Sequence, residues 1–344
     1  MVLYLYECRA KRHRERRAAA LKRIIIACFA LLCVLLCGCG VRSEQIGFYS
    51  MGTYCGGTVY GGNFPAKAVE SAVVGCENLL SHRVPGSDTA ALNSGSCVDS
   101  EELSRLIALC SEISARTNGK YSVLSLPVTS LWDFSGSACP PESGAVSNAL
   151  QIAARTAVVF DGNTVSLTGG GLDFGSVGKG YACEKAVSAC REAGCEGGTV
   201  YVGGSVGVFG SKNGGEAFRI ALRDPFGGEN DVIGSFTLCD RFVSTSGSYE
   251  KCFEYGGRLY HHIIDMTTGY PAESEYISVS VVSESGALSD ILSTACFMLA
   301  PDEARSLLAD YGCEGVFIFS DGRISATKGL EGLFTAYGRE VEFA

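Results

Sequence analysis

Histidine is scarce in this chain, with four in 344 residues, and there is a single tryptophan. The seventeen cysteines contain no C-x-x-C pair and no repeated spacing, so no disulfide framework is legible in them. Net positive charge is missing from most of the chain. Residues 1–39 hold eight Lys/Arg against two Glu, and removing that surplus of +6 from the total of −9 leaves −15 for the remainder. A surface that acidic is a poor match for nucleic acid, which asks for a basic face, and no nucleic-acid partner is expected. No repeat and no low-complexity linker breaks residues 45–344. Hydrophobic residues make up 47% and glycines number 44, the composition of a folded, glycine-rich globular chain.

What is present at the start reads as a targeting segment. Arg9, Lys11, Arg12, Arg14, Arg16, Arg17, Lys22 and Arg23 precede an apolar run from Ile24 to Leu36, which is too short for a comfortable membrane span. The stretch LCGC, Leu36 to Cys39, then resembles a bacterial lipobox, in which the cysteine is lipidated and becomes the mature N-terminus. An uncleaved N-terminal anchor is the alternative. Either way the protein is expected to be exported and tethered to the outer face of the cytoplasmic membrane, with residues 40–47 as a linker and 48–340 as the folded domain. Twelve cysteines follow Cys39. Cys110, Cys190 and Cys296 fall on the apolar phase of helical patterns, where a free thiol behaves as a small hydrophobe, and free thiols are expected.

Periodicity predicts helices over AKAVESAVVGCENLLSHR, EELSRLIALCSEISARTNG, residues 178–193, SGALSDILSTACFML, and from Pro301 to Tyr311. Strands are predicted in IGFYSMGTYCGGTVYGG, GGTVYVGG, FRIALRDP, VSTSGSYEKCFEYGGRLYHHIIDM and ISVSVVS. Hairpins are predicted around Asp161-Gly162-Asn163 and within GVFIFSDGRISAT. Strands outnumber helices and many pair locally, so the fold class expected is α+β, with mixed and antiparallel sheets and flanking helices.

Three constellations carry chemistry. In LDFGSVGKGYACEKAVSAC, Gly175, Gly178 and Gly180 surround Lys179 at a strand-to-helix turn. Glycines there permit close backbone approach, a helix N-terminus offers N–H groups to an anion, and Lys179 adds charge. The order fits neither a P-loop nor a dinucleotide fingerprint, and a tight strand–helix turn with an exposed lysine is the alternative. Asp173, at the end of the apolar lead-in, suits a sugar hydroxyl or a base edge. In SDILST, Asp290 and Thr294 share one helical face, a hard-oxygen pair suited to Mg²⁺, or else a capping pair near the helix start. In YHHIIDMTTGYP, His261 and His262 would face opposite sides of a strand and so would not share a metal. The segment DMTTGYP reads as a turn with Asp265 bonding the backbone.

Taken together, DFGSVGKGYA, VYVGGSVGVFG, STSG, HIIDMTTGYP and DILST, in this order, resemble the ApbE family, the FAD:protein FMN transferases. The resemblance spans roughly residues 48–335. It implies a T-fold-related architecture with FAD in a central cleft. It also implies Mg²⁺-dependent transfer of the FMN half of FAD to a threonine or serine hydroxyl of a partner protein, with release of AMP. By motif, FAD would be contacted by Met51, Arg83, Lys120, Tyr121, Ser122, Asp173, Lys179 and Ile264. Mg²⁺ would be held by Asp290, Thr294 and the main-chain carbonyl of Ser176, helped by Ser293. His262 would be the general base, and an unperturbed histidine titrates near 6.5. The chain departs from the family pattern at Arg83, where many members have an aromatic. It departs again at Ser122, Leu124, Gly178, Ser205 and Met266. An FAD pyrophosphatase using water, and a lipid-anchored FAD-binding protein without turnover, are the alternatives.

Overall fold

The computed structural model describes residues 43–134, 139–212 and 215–344, so the expected targeting segment, with Cys39, lies outside the described residues. Nine strands lie side by side in chain order: β1 (Ser43–Ser50), β2 (Thr53–Tyr60), β3 (Gly197–Val202), β4 (Ser205–Gly210), β5 (Arg241–Gly247), β6 (Tyr276–Ser283), β7 (Glu314–Phe319), β8 (Ile324–Ala326) and β9 (Val341–Phe343). Neighbours are antiparallel except β8 and β9, which run parallel. The α+β class expected from the sequence is the class found.

Both faces of this sheet are covered, and the period-two alternation of its strands says how. On β5 Phe242 belongs to one apolar cluster and Val243 to another, and on β6 Val281 and Val282 divide in the same way. The first face carries the helices α1 (Ala66–Leu80), α2 (Gly178–Glu192) and α3 (Gly286–Phe297). Here α2 packs on β3 and β4, α3 packs on β5 and β6, and α1 packs on α2. The second face carries a three-stranded sheet of Phe218–Arg223, Val232–Leu238 and Phe334–Ala336. Fully buried Ile291 and Leu292 on α3 each contribute about 1.5–3 kcal/mol by leaving water.

Helices α2 and α3 touch at two glycines. A Cβ on Gly180 would overlap the Gly286 carbonyl oxygen, and a Cβ on Gly286 would overlap that of Gly180. The start of α3 is fixed from α2, because Glu184 Oε2 accepts from Gly286 N at 2.7 Å and from Ser285 Oγ at 2.8 Å. Ser285 Oγ in turn accepts from Leu288 N at 3.3 Å, a side-chain cap.

Two boundaries differ from expectation. Residues 43–47 are not linker: they pair with residues 56–60 in the first hairpin of the sheet. The domain also runs past 340, because β9 completes the sheet on β8. The segment expected as one strand from Ile46 is two strands joined by Met51-Gly52, both at positive φ (53° and 67°), the geometry of a tight hairpin turn. Met at that position gives no turn signal. Helices Asp88–Asn93 and Ser143–Arg155 and strand Val232–Leu238 were not anticipated. All twelve cysteines from Cys55 onward are unpaired, eight of them buried. Among the described residues, no helix is long and apolar enough to cross a membrane.

Candidate active site

A cleft of about 1060 Å³ opens where the β1–β2 turn, the first turn of α2, the inner face of α3 and the segment after β5 converge. Asp290, Thr294 and Ser176 line it. So do Lys179, Asp173 and Arg83, together with His262, Ile264, Met51, Tyr121 and Ser122. Lys120 and Ser293 are not brought to its wall. Lys120 Nζ instead donates to the Met298 carbonyl at 3.0 Å, satisfying the C-terminal end of α3. Ser293 Oγ donates to the Asp290 carbonyl at 2.9 Å and pairs with Ser246 Oγ at 2.8 Å, so it supports the wall from behind. The pattern of motifs could not separate Ser293 from Thr294, because neighbours on a helix differ in facing by only about a third of a turn.

The carboxylate corner is built by the crossing of α2 and α3. Asp290 is 5% exposed, and its Oδ2 accepts from the Gly180 N–H at 2.8 Å. That N–H is therefore committed and does not serve an external anion. Gly178 N is committed as well, donating to the Phe174 carbonyl at 2.8 Å. The expected anion cradle of free N–H groups at this helix start is thus largely spent inside the protein. Gly180 is glycine because of the helix crossing, whereas Gly175 and Gly178 do line the cleft. A Cβ on Gly178 would meet Met51 Cε at 3.2 Å, so the side chain of Met51 occupies the space left there.

Since Ser285 caps α3, Asp290 and Thr294 are not a capping pair. Thr294 Oγ1 pairs with Ser246 Oγ at 3.0 Å, and Ser176 Oγ donates to Tyr121 OH at 3.2 Å. Among the described residues no group of three His, Cys, Asp or Glu side chains could hold a metal, which argues against a nitrogen- or sulfur-rich site. One carboxylate with hydroxyl and carbonyl oxygens fits Mg²⁺ instead, a cation that keeps several waters and binds through one or two carboxylates plus substrate phosphates.

Asp173 is held on three sides. Its Oδ2 accepts from Thr129 Oγ1 at 2.8 Å, its Oδ1 accepts from Gly175 N at 2.9 Å, and His82 Nδ1 lies 3.7 Å from Oδ1. Glu77 accepts from Ser50 Oγ at 2.7 Å. The acids Asp173, Glu77 and Asp290 are thus engaged. Among the described residues the cations Lys179 and Arg83 meet no carboxylate: Lys179 Nζ donates to the Gly175 carbonyl at 3.2 Å, and Arg83 Nε donates to His82 Nε2 at 3.3 Å.

The two histidines divide as the strand period requires. His261 ends the strand Arg258–His261 and turns inward. Its Nε2 donates to the Ala272 carbonyl at 3.1 Å, its Nδ1 accepts from Ile263 N at 3.3 Å, and its ring stands edge-on to Phe297. His262 faces the cleft, with its ring edge-on to Phe134. Burial first, then Lys179, Lys251 and His261, push its pKa down to about 4, well below the ordinary histidine value. It is therefore a neutral imidazole at physiological pH, and its Nδ1 is buried without a hydrogen-bond partner among the described residues. A buried ring nitrogen with an unmet hydrogen bond is the kind of exception that functional sites keep.

Residues 51–317 match the model of the ApbE family. The chain belongs to the ApbE family. It is 31% identical to an FAD:protein FMN transferase of Treponema pallidum over 338 residues, covering 87% of this chain and 92% of that protein. The fold matches the apo crystal structure of the Pseudomonas stutzeri flavinyl transferase ApbE with a TM-score of 0.74 at 26% identity, covering 86% of this chain and 98% of that one. The ApbE protein of Thermotoga maritima matches equally well, with a TM-score of 0.74 at 26% identity and coverage of 85% and 99%.

Within this ApbE cleft, two kinds of residue were missed in sequence. Ser246, in the STSG motif, joins Thr294 and Ser293 through its hydroxyl and so sets the orientation of the hydroxyl face of α3. The signal was the motif itself, to which no role could be given before β5 was seen beside α3. Lys251 and Trp132 also line the cleft. Trp132 stacks on Phe134 at 5.8 Å and 7°, and donates Nε1–H to the Gly269 carbonyl at 3.1 Å. That gives the cleft a flat aromatic flank. The lone tryptophan was the signal that could have found it.

Proposed function

We propose that this protein transfers the FMN half of FAD to a threonine or serine hydroxyl of a partner protein and releases AMP. The observation that carries this is the neutral, buried His262 on the same cleft wall as Lys179 and the Asp290/Thr294 pair. The relatives named as FAD:protein FMN transferases support the same reading. In this reaction the acceptor oxygen forms a bond to the FMN phosphorus, and the bond from that phosphorus to the bridging pyrophosphate oxygen breaks. AMP leaves with the electron pair, and the hydroxyl proton passes to His262.

His262 is suited to this because it is unprotonated before substrate arrives. Burial lowers its basicity most, positive charge from Lys179 and Lys251 adds to that in the empty cleft, and a pyrophosphate neutralising those cations would recover part of it. Lys179 binds phosphate charge. Asp173, fixed by Thr129 and Gly175, orients a sugar or base of the dinucleotide, and the flank of Trp132 and Phe134 suits a planar ring. Mg²⁺, held by Asp290, Thr294 and the Ser176 carbonyl, would neutralise the pyrophosphate oxygens as negative charge shifts to the leaving group. Ser246 and Ser293 hold Thr294 and the backbone of Asp290 in place for that role.

The test is to mix the domain with FAD and Mg²⁺, with and without an acceptor protein carrying a reactive hydroxyl. AMP released only with acceptor is the expected result. AMP released regardless would make the protein an FAD pyrophosphatase, and FAD bound without AMP would make it a binding protein.

We also propose, from the basic and apolar segment ending at Cys39, that the protein is a lipoprotein on the outer face of the cytoplasmic membrane, where a membrane redox protein is the natural acceptor. Substituting Cys39→Ala should shift the protein from the membrane to the soluble fraction and abolish incorporation of labelled fatty acid. Unchanged membrane association with no label would mean an uncleaved anchor.

A further inference from the structure

We infer that Lys251 is a third cation on the substrate pyrophosphate, acting beside Lys179 on the His262 side of the cleft; the inference rests on the FAD reading above. Lys251 immediately precedes the strand Cys252–Tyr255, which pairs with Arg258–His261 so that Cys252 lies opposite His261. The next rung is formed by His262 N, which donates to the Lys251 carbonyl at 3.0 Å. Lys251 and His262 are thus cross-strand neighbours at the open end of one hairpin, and both line the cleft.

The charge pattern asks for an anion there. Lys251, Lys179 and Arg83 sit close enough for the other two to depress the lysine pKa of Lys251, after the larger effect of burial of its head. Glu250 and Asp173 oppose that depression only in part. None of the three cations forms an ion pair with a carboxylate among the described residues, although ten other ion pairs are present. Three of the acids lining the same cleft, Asp173, Glu77 and Asp290, already accept protein hydrogen bonds. In a chain with a net charge of −9, three unpaired cations around one cleft are self-repelling until a polyanion enters. A pyrophosphate carries two charges and many acceptor oxygens, and Lys251, which lines the cleft, has an ammonium with three donors to offer them. Because its backbone is bonded to His262, a phosphate oxygen drawn to Lys251 is held on the side from which the proton is taken.

The experiment compares wild type, Lys251→Met and Lys251→Arg for affinity towards FAD and towards riboflavin, by flavin fluorescence, and for single-turnover AMP release. Lys251→Met should weaken FAD by about tenfold or more while leaving riboflavin within about twofold, since only FAD has phosphates. Lys251→Arg should recover most of the lost affinity and rate, because charge and donors are retained. Equal FAD affinity in wild type and Lys251→Met, or equal losses for FAD and riboflavin, would overturn the inference while leaving the proposed function intact. A wild-type protein that binds no FAD would overturn the proposed function and this inference with it.

Discussion

The backbone N–H of Gly180 donates to Oδ2 of Asp290 across the α2–α3 crossing, at 2.8 Å. One residue earlier, Lys179 lines the cleft. Lys179, proposed to bind phosphate charge, and Asp290, the carboxylate suited to a divalent cation, therefore belong to one joint, held closed by two glycines. Movement of either helix changes both at once.

Replacing Gly180 with Ala tests that joint. The new Cβ would overlap the Gly286 carbonyl oxygen, and backbone cannot step aside as a flexible side chain can. The expected cost is about 1–3 kcal/mol of stability, with loss of AMP release larger than the fall in melting temperature alone explains. Thermal unfolding and activity measured together check it. A variant with wild-type stability and rate would mean that the helices can separate without disturbing Asp290.

Asp290→Asn separates charge from hydrogen bonding. The amide oxygen can still accept from Gly180 N–H, so the fold should persist with little change in melting temperature. Mg²⁺-dependent AMP release should fall by about a hundredfold or more, since the main charged ligand is gone. Titrating Mg²⁺ against the residual rate should show that its requirement has moved upward. A variant active at wild-type Mg²⁺ concentrations would place the cation elsewhere.

His262 sets the acid limb of the pH profile. Its pKa is pushed down to about 4, so the free enzyme holds it neutral throughout the range where an ordinary histidine titrates. The value of kcat/KM, which reports the free enzyme, should stay level from pH 8 to about 5 and fall only as the imidazole protonates near pH 4. An expectation built on an unperturbed histidine would put that fall near 6.5. Lys179→Met removes a positive neighbour and should move the limb upward. His262→Gln should remove the limb and lower kcat by about 10²–10⁴-fold with little effect on FAD affinity. A wild-type rate in that variant would make His262 a strand residue only.

Thiol reactivity checks the cysteines. Of the twelve cysteines among the described residues, Cys97, Cys139 and Cys239 are exposed and Cys252 is partly so, whereas the other eight are buried. Native protein should react quickly at three sites and more slowly at a fourth. All twelve should react after denaturation without reductant. Burial also raises the pKa of several, including Cys76 and Cys110 to about 12, so the thiolate form that reacts is suppressed. Recovery of four or fewer thiols from denatured protein would mean that disulfides form in the purified chain.

Much of this was legible in the residues because the relevant elements are strongly periodic or carry turn chemistry. Helices at Glu101–Arg116, Gly178–Glu192 and Gly286–Phe297 follow apolar spacing and punctuation, and Asp161-Gly162-Asn163 marks its hairpin. The facing of Asp290 and Thr294 followed from a four-residue step on a helix. What escaped depends on contacts between distant segments. Met51 in a left-handed turn has no local signature, and the short strand Val232–Leu238 is defined by its partners. The role of Gly180 is set by Gly286, more than a hundred residues away. The outward turn of Lys120 to Met298 and the inward placing of Lys251 are decided by packing that no motif encodes.

The first strand has a further consequence, for reach. It runs eight residues from Ser43 to Ser50, and the next residue, Met51, is on the lip of the cleft. At roughly 3.3 Å per residue that is about 26 Å of stiff, fully paired backbone. One strand's length of backbone therefore separates the chain just before Ser43 from the lip of the cleft. If a lipid holds the chain before that strand, lengthening or shortening the segment between them should change how far from the membrane an acceptor hydroxyl can be served, without touching a residue of the site.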